Sequence, residues 1–578
     1  MAFRYKHSFH LLAATTLAGL IFLPAKSQDK TSQDKGDDSK VKFAVRTELV
    51  LIPTIVTDKS GNHITGLKKE DFTVKESGAP QQIATFEEIR TDATPLLHAV
   101  QPNEFSNFVA GQPSTSRITL IVLDFINTPF AAQAAGRQEL LKYLTQSVNT
   151  REPTALYTLT RTGLQVIHDF TTDPRVLVTA LHKAKGDPTE LVDSPEQVEA
   201  ITGTASPDGS SGDSAAASSS KGSVQAEAAK IQSMLEDAEL NFQSFEQRLA
   251  ITYTLDGMGQ IAQALAGYPG RKSVIWASGG FPFNVSDNSM QLAPAGRDTL
   301  NDVLPLYERT WQLLNDAQVS LYPVDVKGLQ VVSMPSASVR NPGKNFGRHA
   351  MYKQIDTQAT LETFAGMTGG RAYFNSNDLV KGFRDAVSDS SQYYMLGYYV
   401  DHSNPKPGWR KLAVKVDRDH TEVRARNGFF VTNAAINPDN TRNTDISSAL
   451  LSPLDCTSLP LVAAWGKIEA GKDTGQKRIN YTIHLSPQTN VISESDNNHL
   501  VLDVVSLAFT PDGKRVGQPF SQKIDLHLSP EKLAAIRNQG LVFHDALNLA
   551  PGEYKVRFVV RDFLTGRTGS VAVPLKLE

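Results

Sequence analysis

Residues 118–128 constrain this chain more than any other stretch. Ile118-Thr-Leu-Ile-Val-Leu123 is an apolar strand that ends in Asp124-Phe-Ile-Asn-Thr128 and runs into a helix at Pro129. A carboxylate at a strand end invites a cation, because ligands of an open α/β sheet collect in the crevice beyond the carboxyl ends of its strands. Strands and helices alternate from there. A helix over 131–147 is followed by strands 155–160 and 164–167, a helix opened by Asp173-Pro174, and strand 273–277. A helix over 299–317, strand 319–324 and helices 354–367 and 378–388 complete the series. Repeated β-α units with one short hairpin predict a largely parallel, doubly wound sheet over residues 115–390.

At 578 residues the chain exceeds one domain. Its 58 basic and 61 acidic residues leave a net charge of -3, so no global field draws it to nucleic acid or an anionic membrane. Residues 1–27 read as a signal peptide: Arg4, Lys6 and His7 precede an apolar run over 11–23 and the small-residue site Ala25-Lys-Ser27. That run is short for a bilayer span, which takes roughly 20 residues. The expectation is an exported protein of the periplasm, envelope or exterior, with no transmembrane span in the mature chain. Residues 28–42 are polar and predict a disordered linker. The sole cysteine, Cys456, can form no internal bridge and reads as a small buried hydrophobe.

β-patterned segments flank the α/β region. Residues 43–93 hold too few strands to close a core. The missing strands lie in residues 392–432, around Tyr393-Tyr-Met-Leu-Gly-Tyr-Tyr-Val400, Lys411-Leu-Ala-Val-Lys-Val416 and Thr421-Glu-Val-Arg-Ala-Arg426. The two pieces are expected to pair as a split β-sandwich hosting the α/β domain. Residues 455–578 predict an immunoglobulin-like sandwich, with one short helix at Ser529-Pro-Glu. Residues 185–223 are rich in Gly, Ser and Ala and predict a flexible insertion. Residues 224–266 are helical in period, with Ile231, Met234, Leu235, Phe242 and Phe245 on one stripe. No strict heptad is sustained by that stripe, which argues for domain packing and against a partner helix.

Three further phrases narrow the reading: Gly270-Arg-Lys-Ser-Val-Ile-Trp-Ala-Ser-Gly-Gly280, Ala365-Gly-Met-Thr-Gly-Gly-Arg-Ala-Tyr373 and Tyr393-Tyr-Met-Leu-Gly-Tyr398. With the Asp124 loop they resemble the von Willebrand factor A (vWA)-related secreted proteins of acidobacteria, over most of residues 43–430. The resemblance implies a vWA domain carried in a β-sandwich host, a ligand- or partner-binding role, and no enzymatic activity. It also implies a metal-ion-dependent adhesion site, where an Asp-x-Ser-x-Ser loop joins a distant Thr and Asp around magnesium. Asp124 and Thr128 match the first and last loop positions, and Thr254 in Thr252-Tyr-Thr-Leu-Asp256 is the distant hydroxyl. Two positions depart from the pattern. Ile126 replaces the middle hydroxyl, and Ser278-Gly279-Gly280 stands where the family has Thr-Asp-Gly.

Magnesium wants a near-octahedral shell of oxygens, so affinity at this degenerate site is expected to fall sharply and the preferred reading is a site without metal, Asp124, Thr128 and Thr254 being the ligands if magnesium binds. No other cofactor is expected. In the preferred reading Asp124 caps backbone amides at the next helix; Asp256 or Asn127 could substitute as a metal ligand in principle, although neither occupies the family's position. Either way Asp124, Asn127, Thr128, Thr254, Ser278, Gly279 and Gly280 form the expected rim for a protein partner, at the sheet edge. Other classes fit less well. Gly267-Tyr-Pro-Gly-Arg-Lys-Ser273 lacks phosphate-loop spacing and precedes its strand, so Arg271 and Lys272 are read as a solvated strand entrance. Ser278 lacks the Gly-x-Ser-x-Gly context of a hydrolase nucleophile. The 13 histidines show no zinc spacing. Tyr393, Tyr394, Tyr398, Tyr399, Phe429 and Phe430 are read as mostly sandwich core. A structural subunit of the envelope is the remaining alternative.

Overall fold

The computed structural model describes residues 47–90, 104–107, 118–146, 153–184, 221–286, 289–291, 297–327, 346–374, 379–401, 408–431, 438–471, 475–487, 489, 491–492, 498–563 and 565–578. The signal peptide, the linker and residues 185–220 of the insertion lie outside them. In chain order the strands before the α/β region are β1 (Thr47–Asp58), β2 (Phe72–Glu76), β3 (Ala79–Gln81), β4 (Thr85–Arg90) and β5 (Glu104–Ser106). The α/β region holds β6 (Ile118–Asp124), α1 (Phe130–Gln146), β7 (Thr154–Thr160), β8 (Gly163–Thr171), α2 (Pro174–Lys183) and α3 (Lys221–Leu265). It continues with β9 (Lys272–Ser278), a small hairpin of β10 (Asn284–Ser286) and β11 (Ser289–Gln291), α4 (Arg297–Asp316), β12 (Val319–Asp325), α5 (Phe346–Thr368) and α6 (Leu379–Asp389).

Its five-stranded sheet runs β12-β9-β6-β7-β8. The first four strands are parallel and β8 returns antiparallel on β7. Every residue of β6, β9 and β12 is buried because helices cover both faces, so the strands read as unbroken apolar runs. Ile118, Leu120 and Val122 pack against α3, α4 and α5; Ile121 and Leu123 face α1, α2 and α6. Helix α3 starts at Lys221, so the last three residues assigned to the insertion are helical, and α5 starts eight residues before the expected 354.

The strands after α6 are β13 (Gln392–Asp401), β14 (Gly408–Val416), β15 (Thr421–Arg424) and β16 (Gly428–Val431). They form two antiparallel sheets with the first four strands, β15-β1-β13-β4 and β16-β14-β2-β3. Leu49 lies opposite Tyr399, and Val414 opposite Val74. The sheets close on one cluster that includes Val50, Ile52, Val74, Tyr398, Leu412 and Phe429. Strands from both sides of the α/β region therefore build a single core. Tyr394 and Tyr398 face it, while Tyr393 lies on the other face, buried, its Oη accepting from the Arg271 N–H at 3.0 Å. Tyr399, on that same outer face, is exposed.

The remaining elements are α7 (Pro438–Leu451), β17 (Leu461–Ala470), β18 (Lys477–Leu485), β19 (His499–Phe509), β20 (Arg515–His527), α8 (Pro530–Gln539), β21 (Leu541–Leu549), β22 (Gly552–Asp562) and β23 (Thr568–Leu577). The β elements form antiparallel sheets β21-β18-β17-β5 and β20-β19-β22-β23 around one core. Strand β5 was assigned to no domain by sequence, since three residues carry too little pattern to register. It pairs with β17, Ala463 opposite Phe105. Asn107 then fixes the junction: its Nδ2 donates to the Cys456 and Leu459 carbonyls, and its Oδ1 accepts from the Leu461 N–H at 2.8 Å. Helix α7 packs Ile446, Ala449 and Leu450 onto the opposite face of β19 and β22, burying Cys456 beside them.

Arg271 and Lys272 do not form a solvated entrance; they are 1% and 2% exposed. Strand β13 and the turn at Gly369 cover the start of β9, and Arg271 Nη2 donates to Tyr322 Oη and the Gly369 carbonyl at 2.9 and 2.6 Å. Burial pushes the Lys272 ammonium down to about 7. The unfolded chain keeps that proton to about 10.4, so it binds more protons than the native chain between the two values, and stability rises with pH there. Urea unfolding should show this as a gain of at most about 1.4 kcal/mol per pH unit above pH 7, flattened in Lys272→Met. Asn107→Ala should lower stability by about 2 kcal/mol in the same assay, because the buried Leu461 N–H loses its acceptor.

Candidate functional site

The parallel register of β6 on β9 sets Val122 beside Trp276 and Leu123 beside Ala277, which brings Asp124 next to Ser278 at the carboxyl edge. Side chains alternate along a strand, so Asp124, Trp276 and Ser278 share the face that α3 covers. Helix α3 is anchored there by Ala250, Ile251, Leu255 and Met258, and this sets Thr254 over the strand ends. The loop after β6 turns back on its own carboxylate: Asp124 Oδ1 accepts from the Asn127 N–H at 3.0 Å.

The other carboxylate oxygen is the hub. Asp124 Oδ2 accepts from Asn127 Nδ2 at 2.8 Å and from Trp276 Nε1 at 2.9 Å, with Ser278 Oγ also 2.9 Å away. The Ser278 hydroxyl has one proton and a second acceptor, the Gly280 carbonyl at 2.6 Å. Asn127 Nδ2 reaches on to Thr254 Oγ1 at 2.8 Å, and that hydroxyl donates to the Ala250 carbonyl at 2.7 Å. Thr128 Oγ1 accepts from the Gly279 N–H at 2.8 Å. Gln133 Nε2 ties down the loop carbonyls of Phe125 and Thr128 at 3.2 and 3.0 Å. The structure thus brings all seven sequence-derived residues into one group.

It does not place them on a surface. Asp124, Asn127, Thr128, Thr254 and Ser278 are at most 3% exposed, and Gly279 and Gly280 are buried. Phe281 stacks on Trp276 and meets Phe364 edge-on at 4.3 Å, which closes the face with aromatic rings. Burial raises the Asp124 carboxyl above the usual carboxylate range, while its bonds to Asn127, Trp276 and Ser278 pull it back down. Asn127 Oδ1 is buried and unpartnered.

The donor set does not fit magnesium. A cation needs oxygen lone pairs, and here N–H groups of Trp276 and Asn127 point at the carboxylate a cation would need. Thr254 Oγ1 and Thr128 Oγ1 both accept N–H bonds. Ile126 is a buried member of the core that includes Val122 and Trp276. A Cβ at Gly279 would lie 3.0 Å from Pro129 Cδ and 3.1 Å from the Asn127 carbonyl oxygen, so a carboxylate there would crowd the loop. Asp256 is turned away, held by Gln260 Nε2 at 2.6 Å and by Ser448 Oγ of α7 at 3.3 Å. Among the described residues no group of three or more His, Cys, Asp or Glu side chains could hold a metal ion.

Trp276 is the central residue that sequence reasoning missed. The signal was present: strand alternation puts it two residues before Ser278 on the Asp124 face, with an N–H that needs an acceptor when buried. Asp325, ending β12 opposite Ser278, was also passed over; burial raises its carboxyl, and the Lys327 N–H bonds it at 2.9 Å.

No family profile matches the sequence, and no curated protein matches it. Among solved structures the chain is similar to three N-terminal domains of the type V pili tip protein Mfa5 from Porphyromonas gingivalis, at 8% identity and a TM-score of 0.21, over 86% of this chain and 96% of that one. A likeness at that score defines neither fold nor function. Among the described residues no helix is long and apolar enough to cross a membrane.

Asp124→Ala should cost about 3–5 kcal/mol in urea unfolding, since the amide, indole and hydroxyl donors lose a buried charged acceptor together. Trp276→Phe keeps the ring stack and removes one donor, so its cost should be about 2 kcal/mol.

Proposed function

We propose that this protein is a non-enzymatic binding module of the cell envelope or exterior. In this reading a vWA-like domain is inserted in a split β-sandwich and followed by an immunoglobulin-like sandwich. The adhesion-site loop has become an internal lock that holds the sheet edge in shape without a cation, and a protein partner docks on the surface loops around it. One observation carries this reading: the Asp124 carboxylate is already satisfied by protein donors where a metal would sit. The order of the parallel strands, with β8 antiparallel at one edge, supports the domain assignment. The buried position of Ser278, bonded to a carboxylate and a carbonyl, supports a structural role for that hydroxyl over a nucleophilic one.

Calorimetric titration with magnesium and with manganese tests the proposal. The expected result is no saturable heat at millimolar metal, for wild type and for Asp124→Asn alike. Saturable binding to wild type that disappears in Asp124→Asn would overturn it.

A further inference from the structure

Two sequence expectations fail in opposite directions. Met234, Phe242 and Phe245 of α3 are exposed where packing was expected, and Arg271 is buried where solvent was expected. A guanidinium keeps its charge throughout the pH range of folded proteins, and a buried charge is costly unless it is paired. Arg557 and Arg561, buried to a similar degree in the last unit, each hold a carboxylate, at 3.2 and 2.9 Å. Arg271 holds none among the described residues. Its Nη2 is spent on Tyr322 Oη and the Gly369 carbonyl, while the N–H of Nε and the N–H groups of Nη1 are buried without an acceptor.

The neighbours add to the imbalance. Tyr322 Oη accepts from Arg271, and its own proton has no acceptor among the described residues. The Tyr373 backbone bridges to Val324, so its ring packs on the same face as Tyr322, and its hydroxyl is buried and unpartnered; Arg424 Nε is unpartnered too. The carboxylates whose charge reaches Tyr373 are Asp389 and Asp385. Both are taken: Arg424 holds Asp389 through both oxygens, and Lys381 holds Asp385. His63 lies within the fields of Asp389, Arg424 and Arg271, but burial lowers its imidazole, so it adds no charge at neutral pH. The buried group therefore sets the guanidiniums of Arg271 and Arg424 against the single carboxylate of Asp389, and several N–H and O–H donors against no spare acceptor.

We propose that Arg271 Nη1 binds a single halide ion, chloride, with the Tyr322 and Tyr373 hydroxyls as its further donors, at the junction of the α/β domain and the first sandwich. A halide carries one negative charge and no proton, which answers the excess of charge and the excess of donors together. Water would satisfy the donors and leave the charge uncompensated. A polyatomic oxyanion needs room for several oxygens, and here β13 and the Gly369 turn close over Arg271, with Tyr322 and Asp389 buried beside it.

Thermal unfolding of the full chain in sodium chloride and in sodium gluconate at equal ionic strength tests this. The expected result is a midpoint that climbs with the logarithm of chloride concentration, and likewise with bromide, but not with gluconate. Arg271→Met removes the charge that calls for the ion, so its midpoint should be the same in both salts. Tyr373→Phe keeps the ring and removes one donor, so its response should move to roughly tenfold higher chloride; this variant decides the matter if Arg271→Met does not fold. Crystals grown in bromide should show an anomalous peak within hydrogen-bond reach of Arg271 Nη1. Equal wild-type midpoints in the two salts, a chloride response unchanged in either folded variant, or a water without anomalous signal at Nη1 overturns the proposal.

Discussion

A carboxylate with no exposure to water is tolerated only if the protein supplies what water would have supplied. At Asp124 that supply comes from two separate parts of the chain, its own loop and strand β9, with α3 bonded to the loop, and the geometry of the sheet edge follows from it. The loop at 125–128 must curl so that Asn127 returns to the carboxylate. Strand β9 must keep its register so that Trp276 and Ser278 arrive from the neighbouring strand. Helix α3 must settle where Thr254 meets the Asn127 amide. Moving any one of them strands buried donors, so the hub fixes strand, loop and helix together.

The same economy governs the junctions between the three units. Strand β5 leaves the first sandwich and completes a sheet of the last one before the α/β region begins. Thr457 accepts the Gly267 N–H at 2.7 Å, at a point so close that a Cβ on Gly267 would lie 2.4 Å from the Thr457 carbonyl oxygen. Asp445 of α7 binds Arg561 of β22 at 2.9 Å and Arg309 of α4 at 3.4 Å, pairing charges of the last two units. Asp389 at the end of α6 holds Arg424 of the first sandwich through both carboxylate oxygens.

Long apolar runs were legible in the sequence. Ile118–Asp124, Lys272–Ser278 and Val319–Asp325 are buried on both faces, and a continuous run is the trace that leaves. The presence of a lock at Asp124 was half legible. The loop spacing pointed to the site, and Ile126 and Gly279 pointed away from a metal, but the indole that donates to the carboxylate belongs to Trp276, which lies 152 positions along the chain. Short or context-dependent features left no trace. Strand Glu104–Ser106 exists because an edge strand is waiting for it. Arg271 and Lys272 look like surface residues by type, and are buried only because β13 and Gly369 close over them.

The claim that Asp124 is an internal lock and not a cation ligand is tested most directly by thermal unfolding of the wild-type chain in chelator and in excess magnesium. A ligand that binds only the native state raises stability by about 2.7 kcal/mol at a hundredfold excess over its Kd. The account predicts the same midpoint in both conditions at constant ionic strength. A magnesium-dependent rise in the midpoint that is absent from Asp124→Asn would contradict it.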